Sequence, residues 1–122
     1  MMKRSGKGRS QRQLRVAERV KEIVSNYLHR EFFANELLSN PAEITIADVQ
    51  VSPDLRQASI FVSSLINKND INAIVKALNE VSSQFNHAIA KGLETKNTPK
   101  VSFAADKSLE AIDRMETLLD IK

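Results

Sequence analysis

Residues 44–65 read ITIADVQVSPDLRQASIFVSSL. Two runs rich in β-branched residues flank Ser52-Pro53-Asp54-Leu55, with Pro at the second position, where a turn wants its fixed φ. The spacing predicts a strand over 44–51, a turn, and a second strand over 58–65, together a hairpin. The apolar phase of the first run slips between Ile46 and Val49, which a β-bulge near Ala47 or Asp48 would accommodate. Upstream, over 11–33, Val16, Val20, Ile23, Val24, Tyr27 and Leu28 recur every three or four residues and predict one apolar helix face. Residues 34–43, with Asn, Ser and Pro41, read as a linker. Downstream, Asn67 to Asp70 supply a turn and a helix N-cap. Ile71, Ile74, Val75, Leu78, Val81, Phe85, Ile89 and Leu93 then carry a helical stripe too long for one helix of a small domain. Ser82 and Ser83 mark its expected break, because their hydroxyls compete for backbone hydrogen bonds. Pro99 stops the helix, residues 100–104 read as a third strand, and Asp106, Lys107 and Ser108 open a final helix bearing Leu109, Ile112, Met115 and Leu119. Three strands with helices packed on one face make an α+β layer.

At 122 residues the chain fits a single domain, expected over 11–122 behind a disordered tail at 1–10. The hydrophobic fraction of 42% suffices for a core, and with 5% aromatics Leu, Ile and Val are expected to fill it. The absence of cysteine excludes disulfides and thiolate metal sites and suits a reducing cytoplasm. No uninterrupted apolar run exceeds three residues, so no membrane span is expected. Residues 1–17 are basic and acid-free, as a transit peptide would be, but lack an apolar face.

Charge is unevenly placed. Residues 1–22 carry eight Lys/Arg against Glu18 and Glu22, a net +6, while residues 23–122 carry a net −3. A positive end on a mildly acidic body suits an oriented contact with a polyanion; a solvated tail kept for solubility is the alternative. On the first helix Arg12, Arg15, Arg19 and Arg30 fall on one stripe beside the apolar face, with Glu22 and Asn26 between them.

Enzyme readings find no support. His29 and His87 sit on different helices without a Cys or acidic partner at ligand spacing, and no metal or cofactor is implied. Neither a nucleophile elbow nor a Walker loop occurs, and Gly6, Gly8 and Gly92 cannot build a phosphate cradle within the folded part. Arg stripes suit phosphate contact, whereas few aromatics argue against base stacking on a sheet.

Several segments together resemble the bacterial ribosome-binding factor A family. They are Arg15-Val-Ala-Glu18, Leu28-His-Arg30-Glu31, Ile44-Thr45 through Val49-x-Val51-Ser-Pro-Asp-Leu-Arg56-x-Ala58, and Pro99-x-Val-x-Phe103-x-x-Asp106. The resemblance covers about residues 12–119 and is most specific at 51–58. It implies an α+β, type II KH-like domain: helix, strand, strand, helix, kink, helix, strand, with a C-terminal helix added. This chain shares the family's lack of a Gly-x-x-Gly loop. It departs at the kink, where Val81-Ser82-Ser83 replaces the family's Ala-x-Gly, and in lacking an acidic-Pro-Arg segment after the first helix.

The implied activity is non-enzymatic: a cytoplasmic monomer that binds the free 30S ribosomal subunit, assists late maturation and processing of 16S rRNA, and supports growth in the cold. Neither a small-molecule substrate nor a membrane partner is implied. The candidate RNA-binding residues are Arg12, Arg15, Arg19 and Arg30, with Ser82, Ser83, Lys91, Lys96 and Lys100 as a second group. The three lysines read equally as solvated surface, and Arg56 equally as a structural residue of the hairpin end. The rival from another class is a protein-interaction module docking an acidic partner through the basic N-terminal arm.

Overall fold

The computed structural model describes residues 10–31, 33–38, 44–64, 71–93 and 98–106. Helix α1 spans Gln11–Arg30. Ser10 caps it: its Oγ accepts from the Gln13 N–H at 3.1 Å, and Gln13 Oε1 accepts from the Ser10 N–H at 2.9 Å. This reciprocal box satisfies two donors that a helix start leaves orphaned. Ser10, expected at the end of the tail, is thus the N-cap of this helix; residues 1–9 lie outside the described residues.

The predicted apolar face is the buried one. Val20, Val24 and Leu28 are fully enclosed, with Val16 and Ala17 beside them. Gln13 is buried too, and its Nε2 donates to the Val51 carbonyl at 2.8 Å. At the other end His29 Nε2 lies 3.4 Å from the Ile44 carbonyl. The helix thus runs antiparallel to strand β1, Ile44–Val51, pinned at both ends.

Helix α1 stops at Arg30 rather than Phe33. Glu31 is extended, and its N–H closes the last turn on the Tyr27 carbonyl at 3.0 Å. Phe33 turns back and stacks on Phe85, ring centroids 5.8 Å apart. The expected linker is likewise more structured: Glu36–Leu38 form a 3₁₀ turn, Asn35 Oδ1 accepts from the Leu37 N–H at 2.8 Å, and Leu38 is buried.

Strand β1 pairs antiparallel with β2, Gln57–Ser64, and the register slips between Ile46 and Asp48, placing the bulge where the sequence put it. The extra residue keeps Ile44, Ile46, Val49 and Val51 on one buried face. In the turn, Ser52 Oγ accepts from the backbone N–H groups of Arg56 and Gln57 and donates to Asp54 Oδ1 at 2.6 Å. Leu55 adopts a left-handed φ of 61°, which its sequence did not announce.

Helix α2 spans Ile71–Glu80 and α3 spans Ser82–Gly92. The stripe is broken as expected, one residue before the serine pair. Val81 caps α3 at φ −111°, ψ 21°, and its N–H reaches Leu78 in a tight i−3 bond of 3.1 Å. Because no positive φ occurs there, the bend needs no glycine and Ser83 is tolerated.

Strand β3, Lys100–Ala105, lies parallel to β2 and completes the sheet order β1-β2-β3. Its free edge is covered by the kinked pair. Asn79 of α2 both accepts from the Phe103 N–H at 2.8 Å and donates to the Phe103 carbonyl at 3.1 Å. Asn86 of α3 accepts from the Val101 N–H at 2.9 Å.

The core lies between the helices and one sheet face, where Ile60, Val62, Leu78 and Ile89 are fully buried. It is not purely aliphatic, as composition suggested. Phe85 contacts Tyr27, Phe33 and Phe103 with centroids 5.1, 5.8 and 5.1 Å away, so four of the chain's six aromatic rings meet at one point. The expected turn at 67–70, Leu65 and the C-terminal helix after Asp106 lie outside the described residues.

Candidate nucleic-acid interface

Helices α1 and α3 pack side by side and leave a cleft of about 370 Å³ along their outer seam. Gly92 sets how closely they approach. A Cβ at that position would fall 2.7 Å from Ile23 Cδ1, inside any real contact distance. Beside this approach Arg19 reaches across, and its Nη2 donates to the Gly92 carbonyl at 3.4 Å. That carbonyl belongs to the last turn of α3, where the helix carries partial negative charge and favours a cation. Arg19 Nη1 donates to Glu22 Oε1 at 2.8 Å, within its own helix. At the other end of the cleft the Tyr27 hydroxyl donates to Gln84 Oε1 at 3.2 Å.

Arg30 and Lys91 line the same cleft as Arg19, together with Asn26, His87 and Glu31. Two groups that the sequence left separate, the arginines of the first helix and a lysine of the kinked pair, therefore share one groove. Arg12 and Arg15 are exposed and continue the stripe toward the N-terminus of α1 without lining the cleft. Arg12 stands in the first turn, a turn with no acidic residue to balance the positive helix end.

The remaining candidates stand apart. Ser82 and Ser83 open α3 and do not line the cleft; Ser82 is half-buried. Lys100 is exposed at the start of β3, where its N–H donates to the Arg56 carbonyl at 2.9 Å. Lys96 lies outside the described residues. The Arg56 backbone is structural at both groups: its N–H donates to Ser52 Oγ and Asp54 Oδ1 in the turn, and its carbonyl accepts from Lys100 at the start of β3. Sequence reasoning missed His87 and Gly92 as cleft residues. His87 and Lys91 are spaced i,i+4, a signal that gains meaning only once α1 is known to lie against that side of α3.

Asp54, in the hairpin turn, is a shifted ionisable group. The Ser52 hydroxyl, then the Arg56 backbone N–H, hold its carboxyl below the usual aspartate value, with the Arg56 charge assisting. It serves the turn and lies away from the cleft. Among the described residues no three His, Asp or Glu side chains gather as metal ligands, and no helix is long and apolar enough to cross a membrane.

The family model described as ribosome-binding factor A matches residues 12–119. The chain belongs to the ribosome-binding factor A family. Ribosome-binding factor A of Novosphingobium aromaticivorans is 33% identical over 111 residues, covering 91% of this chain and 81% of that one. The crystal structure of the Thermus thermophilus ribosome-binding factor A superposes with a TM-score of 0.62 at 15% identity, over 76% of this chain and 94% of that one. A homology model of the Thermus thermophilus factor, fitted into a cryo-electron microscopy map of a 30S complex, gives a TM-score of 0.55 at 13% identity, over 82% and 97%. At such identities these two structures bear on the fold, and the α+β KH-like architecture is common to them and this chain.

Proposed function

We propose that this chain is a non-enzymatic assembly factor that binds the free 30S ribosomal subunit through a basic face and assists late maturation and processing of 16S rRNA. It acts in the cytoplasm as a monomeric RNA-binding domain. The observation that carries the reading is the convergence of Arg19, Arg30 and Lys91 on the α1–α3 cleft, prolonged by Arg12 and Arg15 along α1. Family membership supports it, as does the fitting of a structural relative into a 30S map. Cations spread along one helix flank suit a phosphate backbone, which positions a protein without reading bases. The factor would favour one rRNA arrangement by binding it more tightly than its competitors, a population shift that needs no covalent step and matters most in the cold.

Sedimentation with purified subunits tests this. The protein should travel with free 30S subunits and bind a 16S rRNA transcript with strong salt dependence. Failure to bind both would overturn the reading. A salt-resistant complex with an acidic protein in their place would favour the interaction-module alternative.

A further inference from the structure

Arg19 differs from the other cations of the stripe in arriving at the cleft already occupied. Among the described residues the Arg19–Glu22 pair is the only ion pair, so Arg30 and Lys91 form none with a described residue. Both partners are substantially open to water, with side chains 48% and 60% exposed. A solvated pair of this kind, one turn apart on a helix, is held weakly and exchanges readily. The second anchor is of another kind. The Gly92 carbonyl belongs to the main chain of the last turn of α3, and Arg19 Nη2 donates to it over a long 3.4 Å. One nitrogen of the guanidinium therefore meets a main-chain carbonyl of the other helix, and the other carries a removable carboxylate.

We propose that the α1–α3 cleft is a binding subsite for a backbone phosphate of RNA, at which Glu22 is the built-in competitor. The phosphate replaces the Glu22 carboxylate on Arg19 Nη1 while Nη2 stays on the Gly92 carbonyl, and Arg30 and Lys91 complete the positive lining. Glu22 has two effects in this arrangement. It keeps the guanidinium aligned in the free protein, so little side-chain freedom is lost on binding. It also subtracts from affinity for any polyanion that cannot enter the cleft and displace it. Glu31, the carboxylate that lines the cleft itself where Glu22 holds Arg19 from beside it, makes no ion pair with a described residue and sets a background repulsion that Glu22 exchange does not alter.

This inference rests on the RNA-binding reading above, and its test separates the two. Affinity for a 16S rRNA transcript is measured for wild type, Glu22→Gln, Arg19→Met and the double variant, with Glu18→Gln as a control for bulk charge. Glu18 lies on the same helix, is exposed, and forms no ion pair with a described residue. Glu22→Gln should tighten binding about two- to fivefold, the range expected when one exposed ion pair no longer competes. The gain should vanish in the Arg19→Met background, and Glu18→Gln should give less than half of it. Thermal melts of all variants should coincide within a few degrees. An equal gain with and without Arg19, an equal gain from Glu18→Gln, or no gain at all would overturn the subsite while leaving general RNA binding intact. If wild type fails to bind the transcript, both fall together.

Discussion

At the scale of single residues, the hairpin turn concentrates its chemistry in Ser52 and Asp54. One hydroxyl serves two backbone donors and one carboxylate, and the carboxylate shares the Arg56 N–H at 3.1 Å. This fastening offsets the left-handed backbone at Leu55, a conformation costing a non-glycine residue roughly 1–2 kcal/mol. Leu55 itself packs against the core, so glycine would relieve strain only by giving up that contact. Because the Ser52 hydroxyl and the Arg56 N–H favour the ionised carboxyl, Asp54 titrates lower folded than unfolded. The sign follows directly: the stabilisation is present above the unfolded value and disappears as pH falls through the folded one. Thermal melts of wild type and Asp54→Asn from pH 6 to pH 2 should therefore show wild type ahead at the upper end. The gap should close below about pH 4, in the ordinary aspartate range. A gap constant across that range would show that the charge of Asp54 contributes nothing and that only its shape matters.

At the scale of elements, the least legible feature is the covering of β3. As an edge strand it offers N–H and C=O groups that could pair with another chain, and Asn79 and Asn86 occupy them. Replacing Asn79 by Leu removes two bonds to the buried Phe103 and leaves its backbone groups short of partners. The expected cost is about 1–3 kcal/mol, each kcal/mol lowering the melting midpoint by roughly 4–8 °C. Asn86→Leu, which removes one bond, should cost about half as much. Equal melts for wild type and Asn79→Leu would mean that water replaces the side chain without penalty. The hairpin differs in kind. Bulge, turn and strand pairing were readable because they are written in one continuous run over 44–64, in period-2 alternation and a Pro at a turn position. Asn79 meets Phe103 across the intervening α3, and an asparagine on a helix carries no local sign of such a task. Phe33 was misplaced for a related reason: on a continued helix it would share the azimuth of exposed Arg15, off the apolar face, and it stacks on Phe85 only because the chain leaves the helix at Glu31.

At the scale of the whole molecule, charge and topology together make the candidate interface. The arginine stripe was legible, because helical phase alone places Arg12, Arg15, Arg19 and Arg30 beside an apolar face. The cleft was not, because it needs α1 and α3 to meet through Ile23 and Gly92, and only the fold brings them together. The stripe has no evident role in stability. Arg12 faces the positive end of its own helix dipole, an arrangement slightly unfavourable to folding. Arg15 is exposed, and Arg19 makes only the exposed contacts already described. Changing all three to Ala should thus leave the melting midpoint close to wild type, since surface substitutions of this kind rarely exceed about 0.5 kcal/mol each. Binding should respond differently. Deleting one phosphate-binding cation takes roughly 0.7 to 0.9 off the slope of log affinity against log salt, so deleting three flattens it by about 2 to 3 units. The measurement is a salt titration of 16S rRNA binding with parallel sedimentation on free 30S subunits, for wild type and the triple variant. A flattened slope with loss of co-sedimentation assigns the α1 flank to the RNA. An unchanged slope with normal co-sedimentation would move the interface away from α1, leaving Lys91 and Lys100 as the described cations to test next.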